Sequence, residues 1–145
     1  MQPGTRVSGQ TDIETGEHAA VFDEWRALQV ATDETRANII ADIVGHPTGS
    51  ISVEELDYMN PDMSDDAIRR HLHKLMDVGV VEEYVLEAGQ RLRDFPYKFY
   101  GISEDARALF DRNDLFPKDA WRRQYQSVQK TSRIRELESM PRPER

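Results

Sequence analysis

The chain has 145 residues and contains no cysteine. A single domain of this length can bury a core without covalent staples, and the lack of cysteine excludes disulfides, thiolate catalysis and cysteine-based zinc fingers. The formal net charge is −8, although a nucleic-acid binder usually carries a basic surface. No apolar run reaches the length of a membrane span or a signal-peptide core. We therefore expect a cytoplasmic protein without a membrane partner.

The negative charge is unevenly distributed along the chain. From Pro117 onward, eight basic and four acidic residues leave this segment at +4, so the first 116 residues carry −12. Only four of the 19 basic residues are lysines. This acid-rich, lysine-poor composition resembles that of proteins from halophilic archaea, which live with molar internal salt. An ordinary acidic cytosolic protein fits the composition equally well.

The N-terminal residues separate into an arm and the start of a domain. Residues 1–18 are polar and lack a hydrophobic period, which predicts a disordered arm before a domain at 19–113. Val21, Trp25 and Leu28 then follow the i, i+4, i+7 spacing of one helical face.

Capping signals predict the next three helices. Thr32 and Asp33 can cap a helix that ends near Gly45, before a proline. Ser52 precedes a glutamate with the spacing of a capping box, which predicts a short helix. Ser64 caps a longer helix, 64–78, which ends at Gly79, a residue typical of the position after a helix.

The hydrophobic period changes after Gly79. Residues 80–86 and 97–102 are rich in apolar, β-branched and aromatic residues, and the polar stretch 87–96 between them predicts a hairpin. A short helix, a turn, a longer helix and a hairpin make the winged helix-turn-helix arrangement. The predicted fold class is therefore mainly α with a small β-hairpin: a winged helix-turn-helix with additional N- and C-terminal helices.

The C-terminal part predicts one further helix at 114–138, with Pro117 near its start, and a tail at 139–145. Its apolar residues again follow i, i+4, i+7. We expect this stripe and the N-terminal one to pair across a two-fold axis and form a homodimer; packing inside one subunit is the alternative. The predicted dimer interface consists of Val21, Trp25, Leu28, Trp121, Tyr125 and Val128.

The helix at 64–78 has two different faces. Ile68, Leu72 and Leu75 share the inner face, and Arg70 lies opposite them. Arginine and lysine on such a face can read guanine in the major groove and contact phosphates; an ordinary solvated helix face is the alternative. The predicted DNA-binding residues on this helix are Ser64, Asp66, Arg69, Arg70, His73 and Lys74.

The hairpin tip and return strand add Gln90, Arg91, Arg93 and Lys98 as predicted contacts to phosphates or to the minor groove. His71 and His73 point away from each other on a helix, and His18 and His46 are taken as isolated arm or loop residues. We therefore expect no metal site and no cofactor. No nucleophile–base pair or phosphate-binding glycine loop stands out, so an enzyme is not expected either.

Three segments resemble a known family. Residues 33–40 are similar to the second-helix motif of ArsR-type winged helix regulators, and residues 64–72 are similar to their recognition helix. Residues 97–103 resemble the return strand of winged helix proteins from halophilic archaea. The resemblance implies a transcription regulator that binds double-stranded operator DNA as a dimer. Many members sense metals or other signals, but this chain lacks the cysteines of the metal sensors, so the existence of a small effector stays open. A winged helix that docks on proteins is the alternative function.

Overall fold

The computed structural model describes residues 21–144, and the predicted arm at 1–18 lies outside them. This range confirms the predicted fold class: it forms helices around one antiparallel hairpin. In chain order the elements are α1 (Glu24–Ala31), α2 (Glu34–Gly45), α3 (Val53–Met59), α4 (Asp65–Asp77), β1 (Val81–Val85), β2 (Lys98–Ile102), α5 (Glu104–Arg112), α6 (Lys118–Ser127) and α7 (Ser132–Ser139). None of these helices is long and apolar enough to cross a membrane.

Side-chain caps set the helix starts as the sequence predicts. The side chain of Asp33 accepts the N–H of Arg36 at 3.2 Å, and a complete capping box starts α3 at Ser52. Gly79 has φ +76° and follows the C-cap of α4. Its N–H bonds to the Met76 carbonyl, and the next N–H bonds to the Leu75 carbonyl, as in a Schellman motif. This turn leads the chain from α4 into the hairpin.

The main core takes buried residues from each of the helices α1 to α6 and from the hairpin. Ile39, Ile40 and Ile43 of α2 are fully buried together with the inner face of α4. At the end of α2, Gly45 allows α6 to approach closely. A Cβ at this position would lie 2.6 Å from the carbonyl oxygen of Trp121, so a larger residue would separate the two helices.

The hairpin pairs Val81 with Ile102 and Val85 with Lys98. A single β-bridge joins Ile51, just before α3, to Tyr100, with backbone hydrogen bonds of 2.8 and 3.0 Å. The middle of β2 is thereby tied to the start of α3, while the tip of the hairpin, which includes a short 3₁₀ turn at Ala88–Gln90, is exposed.

The C-terminal part differs from its prediction. Two helices replace the single helix expected at 114–138. The first ends at Ser127, and Thr131 caps the second by accepting the N–H of Ile134. Helix α6 packs on α2. Helix α7 buries Ile134 and Leu137 against the hairpin in a second, smaller core.

The N-terminal helix is shorter than expected, because Asp23 caps it and α1 begins at Glu24. Val21 therefore lies before the helix and is 93% exposed. The ring of Phe22 packs beside Gly79 at the end of α4.

A buried polar cluster fastens the predicted tail to the domain. Arg142 donates to Glu55 Oε1 at 3.0 Å and to the Ser50 carbonyl at 2.9 Å. His46 is also fully buried here, so its placement as an isolated loop residue was wrong. Its Nδ1 accepts the N–H of Thr48, which puts the proton on Nε2, and Nε2 donates to Glu55 Oε2 at 2.5 Å. The tail is thus part of the folded domain at least to Arg142.

Candidate nucleic-acid interface

The outer face of α4 is exposed, as the sequence predicts. The exposed predicted contacts on this helix and its cap are Ser64, Asp66, Arg69, Arg70, His73 and Lys74. Ile68, Leu72 and Leu75 are buried on the opposite face. The basic side chains are therefore available to a partner.

The charge of this face is balanced. Arg69, Arg70 and Lys74 are offset by three exposed carboxylates, at Asp65, Asp66 and Asp77. A surface of this kind attracts phosphates weakly at long range. It can still form hydrogen bonds with base edges at short range, because guanidinium and ammonium donors remain exposed.

A groove separates α4 from the hairpin, and we call it the wing groove. Its volume is about 800 Å³, and Arg69, His73 and Lys98 line it. The carboxylates that line it are Glu54, Asp57, Asp65, Glu83 and Asp94. Desolvation and then the neighbouring carboxyl of Asp65 raise the pKa of Asp57. The groove thus has an excess of negative charge.

The predicted wing contacts fall into two groups. Arg91 is used by the hairpin itself: its Nε donates to the Leu86 carbonyl at 2.9 Å, and its guanidinium lies 3.9 Å from the centre of the Tyr97 ring. Gln90 and Arg93 are exposed near the tip, and the side chain of Arg93 bonds to no other described residue. Lys98 points along the wing groove rather than at the tip.

Arg133 connects α7 to both sides of the wing groove, a role that the sequence analysis missed. Its guanidinium binds both carboxylate oxygens of Glu54 in α3, at 2.8 and 3.0 Å. It also donates to the carbonyl of Asp94 at 2.7 Å and lies 4.4 Å from the centre of the Phe95 ring. Asp94 has φ +66°, a conformation that few residues other than glycine adopt. The excess of basic residues after Pro117 was the available signal, but it did not specify which of them fold inward.

His71 faces the body rather than the outside. Its Nδ1 lies 3.4 Å from Arg36 Nη1 in α2. Burial and then the charge of Arg36 lower its pKa, so the ring is neutral near pH 7. His71 therefore helps to orient α4. Within residues 21–144, no group of three or more histidine or acidic side chains could hold a metal ion.

The structure separates the six predicted dimer residues. Val21 and Trp25 are exposed, Trp25 by 70%, and Val128 is 39% exposed. Leu28 and Trp121 are partly buried against the main core. Tyr125 is only 3% exposed and packs beside Gly45 and His46 of its own chain, so its assignment to a dimer interface is corrected. It belongs to the α2–α6 contact.

A short helix, a tight turn, an exposed amphipathic helix and an adjacent hairpin together define a winged helix-turn-helix protein. No established protein family matches the chain by sequence profile, and no curated protein matches it. A solved structure is similar: "a protein with a GntR superfamily winged-helix-turn-helix domain" from Halomicrobium mukohataei, at 31% identity and a TM-score of 0.74. The match covers 90% of this chain and 93% of that one.

The chain therefore belongs to the proteins with a GntR-superfamily winged helix-turn-helix domain. The predicted winged helix is confirmed, and the neighbour comes from a halophilic archaeon, one of the two sources that the composition fits equally well. The neighbour's description does not name the ArsR type, so this finer resemblance stays a prediction.

Proposed function

We propose that this protein is a transcription regulator, not an enzyme, and that it binds double-stranded DNA in the cytoplasm as a homodimer. The observation that carries the proposal is the exposed outer face of α4, with its arginine and lysine donors, beside a hairpin. Helix α4 enters the major groove with Arg69, Arg70, His73 and Lys74. This is the operator-binding mode that the ArsR resemblance implies.

The hairpin contacts the flanking DNA backbone or minor groove in this proposal. Arg93 and Gln90 supply the contacts, because both are exposed near the tip. Arg91 contributes less, since its guanidinium is engaged with Leu86 and Tyr97. Lys98 approaches a phosphate from inside the wing groove, where it also offsets the carboxylates.

Salt concentration determines which forces hold this complex. For contacts to phosphates, log K falls linearly with the logarithm of the salt concentration, with a slope of about −0.9 for each phosphate neutralised. A net charge of −8 and a balanced α4 face provide little phosphate attraction to lose. Base-edge hydrogen bonds, apolar contacts and cations held between carboxylates and phosphates carry most of the affinity. The salt slope is therefore shallow compared with that of a basic winged helix protein.

The test begins with selection from random DNA duplexes at low and at multimolar potassium chloride. On a selected site, Arg70→Ala combined with Lys74→Ala should weaken binding about thirtyfold or more, since contacts of this kind contribute about 1–3 kcal/mol each. Arg123→Ala with Arg135→Ala is the matched control, because it removes the same charge from exposed positions on α6 and α7. Equal affinity of the two double variants would remove α4 from the interface.

A protein-docking domain is the second candidate, and the acidic wing groove is the observation that favours it. Five carboxylates line this groove, and they outnumber its basic residues Arg69, Lys98 and His73. A groove with this charge fits a basic peptide better than the DNA backbone. The selection separates the two functions, because a docking domain enriches no DNA sequence.

A further inference from the structure

The segment after α7 returns to the body of the protein and buries the side chain of Arg142, which the proposed function does not use. This side chain is 8% exposed. Nη1 donates to the carbonyls of Leu137 and Met140 at the end of α7, at 2.7 and 3.1 Å. Nε donates to the Ser50 carbonyl, and Nη2 donates to Glu55 Oε1. Each of the three guanidinium nitrogens thus has an acceptor, and together these acceptors fix the orientation of the group.

Arg142 lies where the start of α3 meets the hairpin. Its acceptors in the body are on either side of the residue that caps α3. Its guanidinium lies 4.5 Å from the centre of the Phe99 ring in β2. The residue after Phe99 is Tyr100, which forms the backbone bridge to Ile51. One side chain of the tail therefore contacts both partners of this junction.

Glu55 makes the contact with Arg142 important for α3. The carboxyl group is fully buried, and within residues 21–144 Arg142 is the one arginine or lysine that pairs with it. Oε1, which Arg142 binds, also accepts the N–H of Ser52 at 3.1 Å and thereby completes the capping box of α3. A buried carboxylate that loses its cation is destabilised. Loss of Arg142 would therefore disturb the start of α3 and its bridge to β2.

The inner face of α4 depends on other contacts. It is buried in the main core, whereas Phe99 belongs to the smaller core together with Leu137 and Met140. The described hydrogen bonds of Arg142 reach α3, the segment before it and the end of α7, and none of them reaches α4. A hairpin of two strands needs support from its surroundings. The hairpin is therefore the part that loss of Arg142 would release, while α4 stays in place.

We propose that Arg142 is a positioning residue for the wing: it holds β2 against the start of α3 and so sets where the hairpin lies relative to α4. Without Arg142, the hairpin moves more freely about the bridge between Ile51 and Tyr100, and its tip is no longer held at a fixed distance from α4. The effect on the hairpin concerns the fold alone, whereas the effect on recognition rests on the proposed DNA binding.

Hydrogen exchange of the full chain tests the effect on the hairpin, with Arg142→Ala as the variant. The amide hydrogens of Ile51 and Tyr100, which form the two hydrogen bonds of the bridge, should exchange about tenfold faster, and those of α2 should be unchanged. Guanidinium in the millimolar range, well below denaturing concentrations, should restore slow exchange, because it fits the space that the side chain leaves. Potassium at the same concentration should not.

Arg135→Ala is the matched control, because it removes the same charge from an exposed position on α7. Equal exchange rates in the two variants, or no recovery with guanidinium, overturn the proposal. Faster exchange in α2 also overturns it, since Arg142 would then stabilise the whole domain rather than position the hairpin.

A selected DNA site tests the effect on recognition. Arg142→Ala should lose about tenfold of its discrimination between the intact site and a site with altered flanking base pairs. Its discrimination at the base pairs under α4 should not change, because α4 stays in place. Unchanged discrimination at the flanks would overturn the link to recognition. If the wild type selects no site at all, the proposed function fails, whereas the exchange rates still decide whether Arg142 positions the hairpin.

Discussion

A partly buried and a fully buried carboxyl group of this protein, those of Asp42 and Glu55, have opposite pKa shifts, and the number of donors around each explains the difference. Asp42 receives one side-chain hydrogen bond, from Asn60 Nδ2 at 2.8 Å, and burial raises its pKa to about 6. Burial alone would also raise the pKa of Glu55. The hydrogen bond from His46, the charge of Arg142 and the N–H of Ser52 outweigh it and lower the pKa instead. At neutral pH, the ionised form of Asp42 therefore lowers the stability of the folded state, whereas the ionised form of Glu55 raises it.

Asp42→Asn should stabilise the protein at pH 7. The folded state raises the pKa of Asp42 from 3.8 to about 6, so it binds the proton more tightly than the unfolded chain does. The contribution of Asp42 to stability is therefore complete below pH 4 and is lost as the pH rises through 6. Asparagine removes this loss, which amounts to at most about 3 kcal/mol, and its side-chain oxygen can still accept from Asn60.

Urea unfolding at several pH values between 4 and 7.5 measures this effect. The stability difference between Asp42→Asn and the wild type should increase with pH. Glu55→Gln is the comparison with opposite sign: because the folded pKa of Glu55 is lowered, this variant should lose most stability at neutral pH. A difference for Asp42→Asn that is constant across this range would contradict the assignment.

At the scale of elements, α7 supports the hairpin in its position beside α4. The hairpin has only two strands, and such a hairpin is marginal by itself in water. Leu86 and Phe99 on its inner face are buried by α7, and Arg133 ties Glu54 of α3 to the Asp94 carbonyl. The helix expected to mediate dimer contacts is therefore, in its second half, a support for the wing.

Arg133→Ala should loosen the hairpin without unfolding the domain. The variant removes a bidentate ion pair, the bond to the Asp94 carbonyl and the contact with the Phe95 ring. The ion pair is partly exposed, which reduces its contribution. We expect the amide hydrogens of β1 and β2 to exchange about tenfold faster in the variant, and those of α2 to be unchanged.

Arg135→Ala is the control for this experiment, because Arg135 is exposed on the same helix and carries the same charge. It should leave exchange in the hairpin unchanged. If both variants bind a selected DNA site equally well while only Arg133→Ala exchanges faster, the support exists but does not affect recognition. Equal exchange rates in the two variants would show that α7 does not hold the wing through Arg133.

At the scale of the whole molecule, two exposed apolar side chains near the start of the described residues are the basis of the proposed homodimer. Trp25 is 70% exposed on α1, and Val21 just before it is 93% exposed. Large aromatic side chains contribute most of the binding energy in many interfaces. We therefore retain the homodimer as a proposal centred on Val21 and Trp25, with Val128 as a further exposed residue and Leu28 and Trp121 in supporting positions.

Trp25→Gln should weaken self-association at least thirtyfold, which corresponds to about 2 kcal/mol for an interface aromatic residue. Sedimentation equilibrium in molar potassium chloride measures the effect, and the melting temperature of the monomer should change little, because the side chain is largely exposed. Leu92→Gln is the control, since Leu92 is a 51% exposed apolar residue in the hairpin. A wild-type protein that remains monomeric at micromolar concentration would contradict the proposal.

Local interactions explain why so much of the fold is readable in the sequence. The caps at Asp33, Ser52 and Ser64 and the glycine after α4 act within four residues, so their spacing alone places the helix boundaries. The apolar periodicity of α4 likewise separates its buried face from its exposed face, and the exposed arginines follow directly from it.

Only the tertiary structure decided the roles of the C-terminal residues and of the buried charges. A periodic stripe shows that Tyr125 is buried, but it does not show whether the covering surface belongs to the same chain; Gly45 of α2 answers this question. His46, Glu55 and Arg142 are up to 96 positions apart, and the partners of Arg133 are 79 and 39 positions away. Helix caps and apolar periodicity depend on residues that are close in the sequence, so the sequence alone reveals them. A side chain that bonds to a distant segment acquires its partner only when the helices and strands pack together.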